Sequence, residues 1–241
     1  MRWRANRLIA ITVAAVAVSA CAHQVGGRAQ LAYSVVSILP TEHEMSAVVK
    51  NRLSNYGFQP FVGGLEVLPN GFHDDTEATP IACVGVTDTL LRVVYEQAPV
   101  VEAARQSYFN PNAGVAVSGA DVGIVRLTSA QTANRLFAAI TRAWQNCSGT
   151  TVIKRIGIAD NAELLATISN VAVAGPVLTA AVTTQDTRRR ATSRYARALG
   201  VRSDCIVEAS LAVTPLGHND PIAISGAPDI VRLVQAKIGP K

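Results

Sequence analysis

The chain has 241 residues, 22 of them Lys or Arg and 17 Asp or Glu, and 49% of it is apolar. That composition excludes a disordered body and suits one good-sized core. Residues 1–20 contain Arg2, Arg4 and Arg7 but no acid, so the remainder has 19 basic and 17 acidic residues, a net charge near +2 that argues against a nucleic-acid partner.

Three arginines precede an uncharged apolar run from Leu8 to Ala20. About 13 apolar residues fall short of the roughly 20 that a spanning helix needs, and they fit the h-region of a signal peptide. Val18-Ser19-Ala20-Cys21 closes the run as a lipobox-like site. The reading is a signal peptide over 1–20, a diacylated Cys21 on the outer face of a bacterial membrane, a short flexible tether over 21–30, and a body over 31–241. Ala20-Cys21-Ala22 also passes as a site for ordinary secretion, and the segment also fits an uncleaved anchor. Each alternative still places the body outside the cytoplasm.

In the body, Thr41-x-x-Glu44 is a capping box that opens a helix running to Asn55, with Met45, Val48, Val49, Arg52 and Tyr56 on one stripe. Phe58 to Glu77, punctuated by Gly63-Gly64 and Pro69-Asn70-Gly71, reads as loop. Thr79-Pro80 starts a helix that carries Cys83. Val100–Phe109 and Val115–Leu127 have strand composition and flank an Asn110-Pro111-Asn112 turn. Thr128–Asn146 is the strongest helix, capped through Thr128 and Gln131, with Ala133, Leu136, Phe137, Ile140, Trp144 and Cys147 on one face.

Strands follow over Thr151–Ile158, Leu164–Val173 and Val177–Thr184. Arg188–Leu199 reads as a basic helix stopped by Gly200, Arg202–Val213 as a strand with Cys205 on its apolar face, and Asp229–Ile238 as a last helix. Strands mostly succeed one another without strict helix alternation, so the predicted fold is α+β: a single domain with helices packed on one face of an antiparallel sheet.

Chemistry is sparse. The sequence has no His-Glu-x-x-His, no Gly-x-Ser-x-Gly and no phosphate loop, so no catalytic residue, cofactor or metal ligand is assigned. His73-Asp74-Asp75 with Glu77 has ligand chemistry, but near-contiguous residues of an extended loop do not converge on one ion. On the predicted basic helix, Arg190, Arg194 and Arg197 share a face and form a candidate contact for an anionic surface, with a plain solvated face as the alternative.

Several features together resemble a known family. They are Ile38-Leu39-Pro40-Thr41 ahead of a helix, Pro80-x-x-Cys83, the segment Thr128-Ser129-Ala130-x-x-Ala133-x-x-Leu136-Phe137, Trp144-x-x-Cys147 and Arg197-Ala198-Leu199 before a strand. This set is similar to the mycobacterial PknH-like extracellular sensor domain, from about Leu31 to the C-terminus. The resemblance implies an antiparallel sheet curved against helices, a broad cleft that takes a ligand, and no catalysis.

The resemblance also implies a disulfide between Cys83 and Cys147. It departs at the family's second bridge, because Tyr195 stands where one cysteine is expected and no cysteine follows Cys205. Cysteine arithmetic agrees without the family: with Cys21 lipidated, three cysteines remain in an oxidising compartment, giving one bridge and one spare thiol. Two functions fit. One is an envelope lipoprotein, attached to the membrane by its N-terminal lipid, whose sensor-like cleft binds an unidentified small-molecule or envelope ligand. The other is a structural or adaptor lipoprotein that contacts another envelope protein.

Overall fold

Residues 34–112, 114–156, 162–189 and 191–239 are described in a computed structural model, in which Tyr33–Lys241 is one compact unit. The predicted signal, Cys21 and the tether lie outside the described residues, as does Arg190. Nine strands form one antiparallel sheet in the order β1-β3-β4-β9-β8-β7-β6-β5-β2. They are β1 (Phe61–Gly63), β2 (Ala78–Thr79), β3 (Val100–Phe109), β4 (Val117–Leu127), β5 (Thr151–Arg155), β6 (Glu163–Ala174), β7 (Val177–Asp186), β8 (Thr192–Arg202) and β9 (Cys205–Val213). The α+β class and the antiparallel sheet are those expected from the sequence.

The helices cover both faces of this sheet, where one helical layer was expected. In β4, Ala120, Val122 and Ile124 turn to one core while Val125 and Leu127 turn to another, so both sides of the strand are buried. Helices α1 (Glu42–Val49) and α5 (Pro221–Lys237) close the first core. Its centre is Met45, Val207, Ala209, Leu211, Ile230 and Val234. The second core lies under α2 (Val84–Thr87), α3 (Arg92–Tyr95) and α4 (Ala130–Asn146), with Trp144, Ile140, Leu178 and Ile206 inside it. Trp144 is buried, and truncating a core tryptophan costs about 3–5 kcal/mol.

The capping box forms as expected: Thr41 Oγ1 accepts the Glu44 amide at 3.2 Å and Glu44 Oε2 accepts the Thr41 amide at 2.7 Å. The helix ends at Val49 rather than Asn55, because Lys50 turns into the left-handed region at φ 48° and Glu42 reaches back to Ser54 and the Asn55 amide. Helix α4 is capped by Ser129, one residue later than predicted. At the other end of the chain, α5 begins at Pro221 and continues through Pro228, where the sequence suggested a boundary.

The largest correction is β8. The predicted basic helix over 188–199 is a strand, hydrogen-bonded to β7 along 192–200 and to β9 along 194–202. Arginine and alanine favour helices only weakly, and two full ladders override that preference. Ser203-Asp204 is a two-residue turn between β8 and β9, since Arg202 pairs with Cys205. The predicted strand Arg202–Val213 ran through that turn.

Candidate functional site: a polar cleft over the central strands

Strand register places Ser107 of β3, Asp121 of β4, Ser210 of β9 and Arg197 of β8 in one row across the face that carries α2, α3 and α4. Arg105, Gly123 and Glu208 form the next row. A cleft of about 310 Å³ opens here, with Arg105, Ser107 and Asp121 on its floor and Phe72, Asp88, Thr89 and Leu91 on its wall. Ser107 Oγ donates to Asp121 Oδ1 at 2.5 Å, and the Asp121 side of the row is exposed.

The wall is a loop held from below. Arg197 is 1% exposed and Glu208 is 2% exposed, and they pair at 2.8 Å. Arg197 also donates to the carbonyls of Val86 at 3.0 Å, Gly85 at 3.2 Å and Asp88 at 2.9 Å, and to the Thr89 hydroxyl. Its guanidinium lies 5.5 Å from the centre of the Trp144 ring. Glu208 accepts from the Tyr95 hydroxyl and from the Leu90 amide at 3.2 Å. Contacts from all three nitrogens of one guanidinium thus hold the 85–89 segment against Glu208, a geometry that lysine cannot reproduce.

Leu90 sits at φ 59°, an uncommon conformation for a leucine, and is accommodated because residue 123 is glycine. A Cβ at Gly123 would meet Leu90 Cδ1 at 2.1 Å and the Ala104 carbonyl at 2.9 Å. Asp88 reaches the opposite way, to the ammonium of Lys154 on β5. Thr87 donates to the same carboxylate at 2.7 Å.

Electrostatics follow from burial. The Tyr95 phenol is pushed well above its usual range by burial and then by the adjacent Glu208 carboxylate. Burial draws the Lys154 ammonium down, against the opposing attraction of Asp88. At the cleft end of β8, Tyr195 is raised by burial and next by the negative charge of Asp121. Buried charges of this kind are stable only as fully hydrogen-bonded groups, and each member here has a partner.

The residues singled out from the sequence fall in different places. Cys83 and Cys147 are bridged, with Cα atoms 5.7 Å apart. The bridge joins the turn that leads into α2 to the end of α4, and both cysteines are buried. Cys205 is a buried thiol outside that bridge, on the opposite face. The arginine stripe does not form. Arg190 lies outside the described residues, Arg194 is exposed beside a smaller cavity near the start of α5, and Arg197 points to the other face, where it is buried. In a strand, residues three apart take opposite sides.

In the 73–77 loop the polar groups hold backbone and one another. His73 meets Glu77 at 2.9 Å, Asp74 accepts the Thr76 amide, and Asp75 accepts the Ile81 amide. Among the described residues no cluster of three metal-ligating side chains occurs. No helix of the described residues is long and apolar enough to cross a membrane. Glu208, Asp88, Lys154 and Tyr95 were missed by sequence reasoning. A charge alone inside an apolar strand, as at Glu208, is the signal that marks such a network.

A family model described as the PknH-like extracellular domain matches residues 32–231. The chain belongs to that family. Its fold is similar to the crystal structure of the extracellular domain of PknH from Mycobacterium tuberculosis, with a TM-score of 0.65, 16% identity, and coverage of 84% of this chain and 93% of that one. No curated protein sequence matches. The family places this chain among PknH-like extracellular domains.

Proposed function

We propose that the chain is an extracytoplasmic lipoprotein, anchored through Cys21, whose cleft captures a small polar ligand without catalysis. The carrying observation is the Arg105, Ser107 and Asp121 floor facing a loop that Arg197 and Glu208 hold rigid. Carboxylates at Asp88 and Asp121, the Ser107 and Thr89 hydroxyls and the Arg105 guanidinium suit a molecule rich in hydroxyl or ammonium donors, and Phe72 and Leu91 offer apolar contact. A ligand that engages Asp88 would compete with Lys154 and so act on the loop, which is how binding at this site would become a signal.

Mass spectrometry of small molecules retained by the native protein tests the cleft. The wild type is expected to carry a polar ligand that Asp121→Leu loses at unchanged fold. Equal retention by both, or none by either, would remove the cleft as the site. Globomycin tests the anchor separately: accumulation of precursor is expected, and its absence would argue for ordinary secretion.

A further inference from the structure

Exposed large apolar side chains are concentrated at one edge of the sheet. Tyr56, Phe58, Phe61, Val62, Val101 and Phe109 all lie on β1, on β3 or in the segment between α1 and β1. Such a cluster on a small domain marks a contact surface. Its most telling part is the turn Asn55–Phe58, closed by the Phe58 amide on the Asn55 carbonyl at 2.9 Å. Tyr56 occupies the left-handed region at φ 53°, an outlier for an aromatic residue, followed by Gly57 at φ 77°.

The turn is rigidly built. Ser54 Oγ accepts the Tyr56 amide at 3.0 Å, Asn55 Oδ1 accepts the Gly57 amide at 3.0 Å, and Glu42 holds both the Ser54 hydroxyl and the Asn55 amide at 2.8 Å. Ser54 is in turn bridged to Phe109 at the end of β3. Despite this framework, Tyr56 is 54% exposed and Phe58 66% exposed. A strained, pinned turn that presents aromatic rings to solvent points to an occupant outside the domain.

Two observations point to a lipid surface as the occupant. Exposed Lys50 and Arg52 precede the turn, and the Arg105 guanidinium stacks 3.9 Å over Phe61, so cations border the rings as they do at membrane interfaces. The described chain begins at Ser34, whose hydroxyl donates to Glu102 on β3 at 2.7 Å, beside exposed Val101. From there to Cys21 is a stretch of sequence that extends at most about 47 Å, whereas Glu102 to Phe109 along β3 is roughly 23 Å. A body tethered at Cys21 can therefore lay this edge on the membrane that holds the anchor.

We infer that the β1–β3 edge docks on a phospholipid surface, with Tyr56 and Phe58 entering the headgroup region and Lys50 and Arg52 meeting lipid phosphates. The inference rests on the anchor proposed above. The test is the protein carrying Phe58→Trp, reconstituted in phosphatidylcholine–phosphatidylglycerol vesicles with brominated acyl chains, with the unaltered protein supplying the tryptophan background. Loss of the added emission is expected, and Tyr56→Trp gives the same readout should Phe58→Trp fail to fold. Emission that bromine does not quench overturns the docking, and so does an edge covered by a protein or a soluble glycan. Mass analysis of Cys21 in the same preparation separates the two ideas: quenching without lipid on Cys21 keeps the docking and removes the anchor, whereas lipid without quenching does the reverse.

Discussion

Strand β9 shows how differently the two faces of the sheet are built. Toward α1 and α5 it presents Cys205, Val207, Ala209 and Leu211, which meet apolar side chains from Met45 to Val234. Toward α2, α3 and α4 it presents Ile206, Glu208 and Ser210, and Glu208 anchors a charged network beneath the cleft. Apolar packing tolerates adjustment and is non-directional, so it suits a face whose task is to hold the sheet. A buried ionic network is directional and demands every partner, so it suits a face that must fix one loop in one position. The disulfide lies on this second side, where it ties the turn ahead of α2, itself only four residues long, to the end of α4.

The sharpest way to break this comparison is at Arg197. Arg197→Met leaves Glu208 buried without its cation and three carbonyls without a donor, and is expected to cost about 3–5 kcal/mol. Adding Glu208→Leu should return much of that loss, as removal of a whole buried pair does. Arg194→Gln, three residues away on the solvent side, should change stability by less than about 0.5 kcal/mol. Urea unfolding measures all three, and equal effects at 194 and 197 would abolish the distinction between the faces.

The disulfide comes next. With its ends 64 positions apart in sequence, removing it through Cys83→Ala with Cys147→Ala should cost about 4 kcal/mol. Cys205→Ala, in the apolar face, should cost only about 1 kcal/mol, the value of one small buried group. Thermal unfolding under non-reducing conditions ranks the two, and peptide mapping should recover Cys83 joined to Cys147. A bridge that includes Cys205 would move the staple to the wrong face.

The smallest effect concerns the seam between α1 and α5, where Lys237 meets Glu44 at 2.6 Å. Burial opposes ionisation of Glu44, but hydrogen bonds from Lys237 and Thr41 outweigh it, so the folded carboxyl titrates below its ordinary 4.5. Its contribution is fully present above pH 4.5 and is lost as the pH falls through the folded value. Glu44→Gln should therefore cost up to about 1 kcal/mol at pH 6, and the gap should narrow as the pH is lowered below 4.5. A gap that widens in acid would refute the sign.

Much of this was legible in the residues, and the rest was not, for identifiable reasons. Thr41 with Glu44 announced a helix start because the cap is made within four residues, and the stripe from Ala133 to Trp144 announced α4 because its period belongs to one helix. The position of the turn at Ser203-Asp204, the length of α5 and the identity of β8 were hidden, since local preference there is weak or points the wrong way. A one-element error at β8 was enough to misplace the arginines. Residues 194 and 197 share a side on a helix and oppose each other on a strand, so Arg197 passed from a surface stripe to the centre of the cleft's support.

The sequence alone determined the antiparallel α+β class, the family and, through it, the Cys83–Cys147 pairing, because these depend on short motifs and composition. Tertiary structure decided which residues meet. Ser107, Asp121, Ser210 and Arg197 come from four strands and form a row only through register, and Asp88 reaches Lys154 only once the loop over Gly123 is in place. Those contacts join residues tens of positions apart. No local pattern encodes them, because the free energy that selects one register is shared among all the strands that must pair at once.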